Sequence, residues 1–199
     1  MARIGIYAGT FDPVHVGHIT FALQSIQAAD LDAVYFVPER QPRVNMGVEH
    51  FGHRVAMLKK AVEPHPKLHV LELVDVNFTI ERTLPALQQI YKDDQIVFMF
   101  GSDVAMHLSS WPNYKRLLEA SELVVVLRYK DAKADLKATI EAWEAQPKAV
   151  TIFESFAPDV SSSAVRSALR QNRPGKGVLS SVERYSNRNW LYVSIVDRA

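Results

Sequence analysis

Gly9-Thr10-Phe11-Asp12-Pro13-Val14-His15-Val16-Gly17-His18 is the stretch on which the fold turns. A short apolar run, Ile4 to Ala8, precedes it. Ile19-Thr20-Phe21-Ala22-Leu23 follows, where apolar residues begin to recur at helical spacing. The order is strand, glycine turn, helix. In that geometry, backbone N–H groups and the positive end of a helix dipole converge on one spot and favour an anion. His15 and His18 stand three residues apart on one face of the first helical turn. Together these features predict a site for a polyphosphate whose α-phosphorus is under attack.

Outward from this stretch, Val34 to Val37, Ile96 to Phe100 and Leu123 to Leu127 are apolar on consecutive residues, as is Ile4 to Ala8. Strands buried on both faces of a parallel sheet read this way. Val70 to Leu73 and Val150 to Phe153 are weaker strand candidates. Helical patterns fall between them, at Val16 to Ala29, Glu49 to Val62, Ile80 to Tyr91, Tyr114 to Ala120, Ala132 to Ala145 and Ser163 to Gln171, and the tail from Val178 predicts one more. The alternation predicts an α/β fold, a doubly wound, mostly parallel sheet with helices on both faces. Ligands in such sheets bind at the carboxyl ends of the strands, and the 9–15 loop stands at such an end. No linker or repeat interrupts the chain, so a single domain over 1–199 is expected, with the helical segment from about 160 packed on it.

With 48% apolar and 23% charged residues, the composition is that of a globular protein. Lys and Arg total 23 against 22 Asp and Glu, a formal net charge of +1, which gives no reason to expect a nucleic-acid polymer or a membrane surface as partner. The chain has no cysteine, which removes disulfides and thiolate zinc sites. Met1-Ala2-Arg3-Ile4 enters a strand with no signal-peptide h-region, and a cytoplasmic location is expected.

Among residues suited to chemistry, Gly9 allows close approach to a ligand, Asp12 before Pro13 suits a turn or helix cap, and Gly17 removes a side chain where a ligand would press. A second segment, Val160-Ser161-Ser162-Ser163-Ala164-Val165-Arg166, places hydroxyls before a helix and a guanidinium one turn on. Taken alone it is an ordinary N-cap with a solvated arginine; beside a polyphosphate, the same groups converge on one anion. Trp111 suits packing at a domain edge, and Asp103 suits a helix N-cap. His50 and His53 share helical spacing without a third ligand and read as a solvated face, not a zinc site. Trp143 belongs to a packed amphipathic helix.

Thr10-Phe11-Asp12-Pro13-Val14-His15-Val16-Gly17-His18 resembles, without a gap, the T/SFDPxHxGH hallmark of the nucleotidylyltransferase superfamily. The 160–166 segment resembles its second hallmark, I/V-S-S-T/S-x-I/V-R. The two stand in order and are expected at opposite ends of the sheet. Within the superfamily the chain is similar to the nicotinate mononucleotide adenylyltransferases from residue 4 to the tail. Phe100 to Asp103 with Trp111, Glu122 to Arg128, Thr83 with Leu84, and Val182 to Tyr185 followed by Asn189 to Tyr192 carry that likeness.

The resemblance implies that ATP is joined to nicotinate mononucleotide with release of pyrophosphate. His15 and His18 would be catalytic, stabilising charge at the α-phosphate. Gly9, Thr10, Phe11, Gly17, Arg128, Ser162, Ser163 and Arg166 would bind ATP, the last three through its β- and γ-phosphates. Arg43, Thr83, Asp103 and Trp111 would bind the acceptor. Mg2+ is expected with the nucleotide, held mainly by phosphates and not by a dedicated carboxylate cage.

Three departures fall on the acceptor side. Arg43 stands where the family's P-x-x-x-P-H-K loop has histidine, Glu81-Arg82-Thr83 replaces S-Y-T, and Pro112-Asn113 follows Trp111. Alternatives are the same chemistry on nicotinamide mononucleotide, phosphopantetheine or an alcohol phosphate, and a non-catalytic nucleotide-sensing module. The phosphopantetheine enzymes usually carry Thr at the position of His15, and the R-T-x-G-I-S-T hallmark of cytidylyltransferases is absent.

Overall fold

A computed structural model of the chain describes residues 1–42, 47–75, 77–127, 133–157, 159–171, 173 and 175–193. Six strands form one sheet: β1 (Arg3–Gly9), β2 (Ala33–Pro38), β3 (Leu68–Val70), β4 (Gln95–Gly101), β5 (Glu122–Leu127) and β6 (Val150–Glu154). Their order is β3-β2-β1-β4-β5-β6, and every pairing is parallel. The chain winds outward through β1, β2 and β3, then returns to the other side of β1 to lay down β4. The switch point therefore lies between β1 and β4, where the carboxyl ends of two neighbouring strands leave a crevice.

Consecutive apolar residues in these strands feed two cores, because successive side chains point to opposite faces. Val97 and Met99 of β4 join one core, which also holds Phe21 of α1 (Val16–Ala28), Leu58 of α2 (Phe51–Val62), Val165 of α7 (Ser162–Arg170) and Val182 of α8 (Ser180–Arg188). Ile96, Phe98 and Phe100 join the other. There they pack with Leu87 of α3 (Ile80–Ile90), Ala105 of α4 (Ser102–His107), Leu117 of α5 (Tyr114–Ala120) and Ile140 of α6 (Lys133–Glu141).

Four elements differ from the sequence reading. Strand β3 begins earlier than expected and ends at Val70, because the ladder to β2 opens with Val34 N–H donating to Lys67 and closes with Leu71 N–H donating to Phe36. Helix α6 stops at Glu141; Trp143 then turns into the core, and the Gln146 amide caps the Ile140 and Trp143 carbonyls. A short helix, α4, and a 3-10 turn at Leu108–Ser110 follow β4, in a stretch too short for periodicity to register. Among the described residues, no helix is long and apolar enough to cross a membrane.

Candidate active site

The loop after β1 is built around Phe11, whose backbone takes a left-handed φ of 50°. That reversal turns the Phe11 ring inward, edge-on to Tyr7 at 5.3 Å and to His18 at 5.1 Å. Gly9 makes room for it, since a Cβ there would stand 3.1 Å from the ring. His15 is the N-cap of α1. Its backbone N–H donates to Nδ1 of His18 at 3.2 Å, and the two imidazoles stack with centroids 3.7 Å apart. With its Nδ1 lone pair taken, a neutral His18 carries its proton on Nε2, the donor a phosphate oxygen requires. Gly17 lines the cleft and has a second role besides. A Cβ at this position would come within 3.0 Å of the His15 ring, so the glycine leaves space for the catalytic candidate itself as well as lining the cleft.

The expectation that the two hallmarks lie at opposite ends of the sheet is corrected by the structure. Strand β1 is central, and α7 leaves edge strand β6 to dock across the 12–13 turn. Ser162 Oγ donates to the Pro13 carbonyl at 3.2 Å, and Arg166 donates to the Asp12 carbonyl at 2.6 Å and to Ser163 Oγ at 3.2 Å. Ser161 Oγ accepts from the Ala164 N–H and caps α7, which leaves Ser162 and Ser163 free of that duty. Asp12 does not cap a helix. Its carboxylate is buried, with Oδ1 accepting from the Tyr192 hydroxyl at 2.7 Å and from the Glu49 N–H at 3.3 Å, while Oδ2 lies 3.7 Å from Arg166. Burial, then the Asp12 carboxylate, pushes the Tyr192 phenol well above its usual range.

Two clefts open at the carboxyl end of the sheet and share a wall. One, of about 360 Å³, is lined by Gly9, Thr10, Phe11, His15, Gly17, His18 and Asp103, and on its far side by Ser155, Ala157 and Val160. The other, of about 290 Å³, shares Gly9 and Thr10 with the first and is otherwise lined by Glu39, Pro42, Phe78 and Trp111 among others. A smaller recess of about 160 Å³ lies between Trp111 and the Thr79–Glu81 segment. Trp111 is held by Phe100 and Phe78 at 6.1 and 6.3 Å.

Most of the residues singled out from sequence line these clefts, with exceptions: Ser162, Ser163 and Arg166 line neither, and Ser162 and Arg166 meet the histidine loop through the Pro13 and Asp12 carbonyls. Asp103 lines the histidine cleft, not the Trp111 cleft. Thr83 enters neither cleft; it is buried, and its hydroxyl accepts from the Thr79 N–H at the start of α3. Arg43 and Arg128 lie outside the described residues. His50 and His53 are turned to structure: His50 accepts from the Gly52 N–H and His53 Nδ1 lies 3.0 Å from the Tyr185 hydroxyl. Among the described residues no group of three His, Asp or Glu side chains forms a metal cage.

Sequence reading missed Arg54 and Gln24. The Gln24 amide clamps the chain beyond β6, donating to the Glu154 carbonyl at 3.0 Å and accepting from the Phe156 N–H at 3.1 Å, beside the cleft-lining Ser155 and Ala157. Each of the two is a polar residue at a buried helix position, and that pattern was the available signal.

A parallel sheet with paired histidines at its switch point, facing an arginine helix, defines a nucleotidyltransferase. The profile of the cytidylyltransferase-like family matches residues 6–168, and the chain belongs to that family. Its curated relatives include the nicotinate-nucleotide adenylyltransferase of Bacillus subtilis, 30% identical over 98% of this chain and 100% of the relative. A probable nicotinate-nucleotide adenylyltransferase of Clostridium perfringens is 29% identical over 94% of this chain and 98% of its own. Among solved structures, Plasmodium falciparum nicotinic acid mononucleotide adenylyltransferase complexed with NaAD shares the fold with a TM-score of 0.80 at 18% identity, covering 96% of this chain and 98% of that one.

Proposed function

We infer that the protein is a nicotinate-nucleotide adenylyltransferase, which joins ATP to nicotinate mononucleotide and releases pyrophosphate in NAD biosynthesis. The observation that carries this reading is the shared wall at Gly9 and Thr10 between two clefts, with the histidines on one side and Trp111 on the other. Two substrates bound back to back against that wall meet at their phosphates.

In this reading ATP occupies the histidine cleft. An oxygen of the acceptor's 5′-phosphate attacks the α-phosphorus. A new P–O–P bond forms as the bond to the bridging oxygen of the β-phosphate breaks, and pyrophosphate leaves with the electron pair. No covalent enzyme intermediate is needed, so the protein contributes alignment and preorganised donors. His18 Nε2–H and the Thr10–Phe11 backbone face the α-phosphate, and Ser162, Ser163 and Arg166 take the departing pyrophosphate. Asp103 is the carboxylate in the lining of that cleft, and a Mg2+ ion there would be held by it and by substrate phosphates, neutralising charge between the two anions. Trp111 frames the acceptor's ring. A cytoplasmic setting, where ATP is abundant and a cysteine-free chain loses nothing by the reducing environment, completes the reading.

The deciding experiment mixes the protein with ATP, Mg2+ and a panel of acceptors: nicotinate mononucleotide, its amide, phosphopantetheine and simple alcohol phosphates. Pyrophosphate release is followed, with the dinucleotide product identified by mass. Release with nicotinate mononucleotide is expected. Turnover of another acceptor alone redirects the assignment, and silence with all of them leaves a nucleotide-sensing module.

A further inference from the structure

Helix α2 carries Arg54, Leu58, Ala61 and Val62 at the spacing of one helix face, and all four are buried. Arg54 is only 1% exposed. Its planar guanidinium offers five N–H donors in a fixed fork. Nε donates to the Glu49 carbonyl at 3.0 Å. One terminal nitrogen donates to the Thr10 carbonyl at 2.6 Å, and the other to Glu39 and Arg40 at 2.8 and 3.1 Å. All of these acceptors are main-chain carbonyls, drawn from three separate stretches of chain. Strands β1 and β2 run side by side, and their register ends at Gly9 opposite Pro38, with Glu39 N–H donating to the Gly9 carbonyl at 3.0 Å. Past that point Arg54 bridges the two chains, donating to the Thr10 carbonyl on one side and to the Glu39 and Arg40 carbonyls on the other.

A buried guanidinium is a costly way to fill space. Burial pulls the Arg54 pKa down, with the nearby Asp12, Tyr192 and Glu39 opposing that pull. If α2 needed only packing there, a Leu or Met would fill the volume without that desolvation cost. A lysine would keep the charge, but one compact ammonium does not span the same set of carbonyls.

We propose that Arg54 is a positioning residue for adenylyl transfer. It locks the Thr10 peptide, in the wall common to both clefts, to the Glu39–Arg40 chain at the rim of the Trp111 cleft, and so sets the separation of the two reacting phosphates. This inference rests on the adenylyl-transfer reading above. Arg54 touches no substrate and acts through the main chain. Glu39 and Pro42 line only the Trp111 cleft, whereas the histidine cleft, besides the β1 loop it shares, is also framed by α1, β4 and the chain after β6, none of which Arg54 holds. Loosening the tie therefore falls on the acceptor and on the alignment step more than on ATP.

The test compares wild type with R54K, R54Q and R54A, using folded fraction, kcat and KM for each substrate, calorimetric ATP binding and amide hydrogen exchange. R54K and R54Q are expected to fold, with acceptor KM raised about tenfold and kcat lowered on the order of 10- to 100-fold, the scale of a misplacement near 1 Å. ATP affinity should change by less than about threefold, and amides in 10–12 and 39–41 should exchange faster. Millimolar guanidinium should restore part of the R54A rate where equal sodium chloride does not. If R54A fails to fold, R54K and R54Q decide the matter. Folded R54K with wild-type kinetics and exchange overturns the proposal, as do losses for ATP and acceptor that simply track the unfolded fraction. Should wild type itself turn over no acceptor, the activity reading falls separately. Exchange then decides: faster exchange in both loops of folded R54K supports the tie, and unchanged exchange overturns it.

Discussion

The Tyr192 hydroxyl donates to Asp12 Oδ1 at 2.7 Å and closes a contact between residues 180 positions apart in the chain. Asp12 belongs to the histidine loop, and the same carboxylate accepts from the Glu49 N–H ahead of α2 and faces Arg166 of α7. The segment after α8 is thus joined to the floor of the site through a single buried acid.

Tyr192→Phe removes the donor and leaves the carboxylate one bond short. A hydrogen bond to a charged group contributes roughly 1.5–3 kcal/mol, so unfolding stability should drop by about that amount at neutral pH. The pH dependence has a definite sign. The native phenol is held above its usual range by burial first, then by Asp12, while in the unfolded chain it ionises near pH 10. Above about pH 10 the unfolded state binds fewer protons than the native one, so stability falls as pH rises and is fully present below that point. Tyr91, raised by burial and then by Tyr35, adds to the same slope. Denaturant titrations from pH 8 to 11 should show Tyr192→Phe losing stability less steeply than wild type; parallel curves would contradict the assignment.

His18→Ala should lower turnover by about 10²–10³ while the fold persists, the usual scale for removing a donor aimed at developing charge. His15→Ala should behave similarly, since it removes the imidazole that stacks on His18 and lines the same cleft, while the backbone N–H that fixes the His18 tautomer stays in place. Steady-state kinetics beside circular dichroism separate lost chemistry from lost fold, and near-normal rates in both variants would dismiss the histidine pair.

Gly17→Ala is a subtler probe. The added methyl meets the His15 ring at 3.0 Å and the Ala157 carbonyl at 3.6 Å, while α1 itself tolerates alanine well. The helix should hold and the ring should shift, so kcat is expected to fall at unchanged thermal stability. A fully active Gly17→Ala enzyme would show that the imidazole stack is not critical.

The architecture was legible because strands buried on both faces leave consecutive apolar runs, as in Ile96 to Phe100. The histidine side of the first cleft was legible because Gly9 to His18 are contiguous in sequence. What escaped was chemistry carried by long-range carbonyl contacts. Arg54 reaches Thr10 across 44 residues, and nothing local to α2 specifies that bond. Asp12 stands in the turn expected of it, but its partners, Glu49, Arg166 and Tyr192, were invisible for the same reason. Thr83 was placed by likeness to a segment that here differs, and its hydroxyl is engaged at the start of α3.

Arg166→Ala should weaken ATP more than the acceptor. In the structure the guanidinium rests on the Asp12 carbonyl and Ser163 Oγ with 26% of its side chain exposed. Losing a charge-assisted bond costs roughly 1.5–3 kcal/mol of ATP binding. Calorimetry with a non-hydrolysable ATP analogue reads this directly. Equal losses for both substrates would argue for a structural role instead.

The acceptor preference is the sharpest test of the Trp111 cleft. Trp111 is braced by Phe78 and Phe100, so its indole is a fixed platform for a pyridine ring. Next to it the Thr79–Glu81 segment and Pro112–Asn113 bound a small recess at the start of α3, where the Thr79 N–H is taken by Thr83 and a helix's first turn has further N–H groups without an intrahelical acceptor. A carboxylate only accepts, and so matches such donors; a carboxamide must present its NH₂ to some of them, leaving donor against donor. The acid should therefore exceed the amide in kcat/KM. Trp111→Ala should raise the acceptor KM several-fold, in line with an aromatic contact of roughly 0.5–1.5 kcal/mol, and leave the ATP KM nearly unchanged. Arg43→Ala should also raise the acceptor KM if, as the family likeness implies, it holds the acceptor's phosphate, and should then change the acid-to-amide ratio little, since both acceptors carry the same phosphate. An enzyme that prefers the amide would refute this account of the cleft while leaving adenylyl transfer intact.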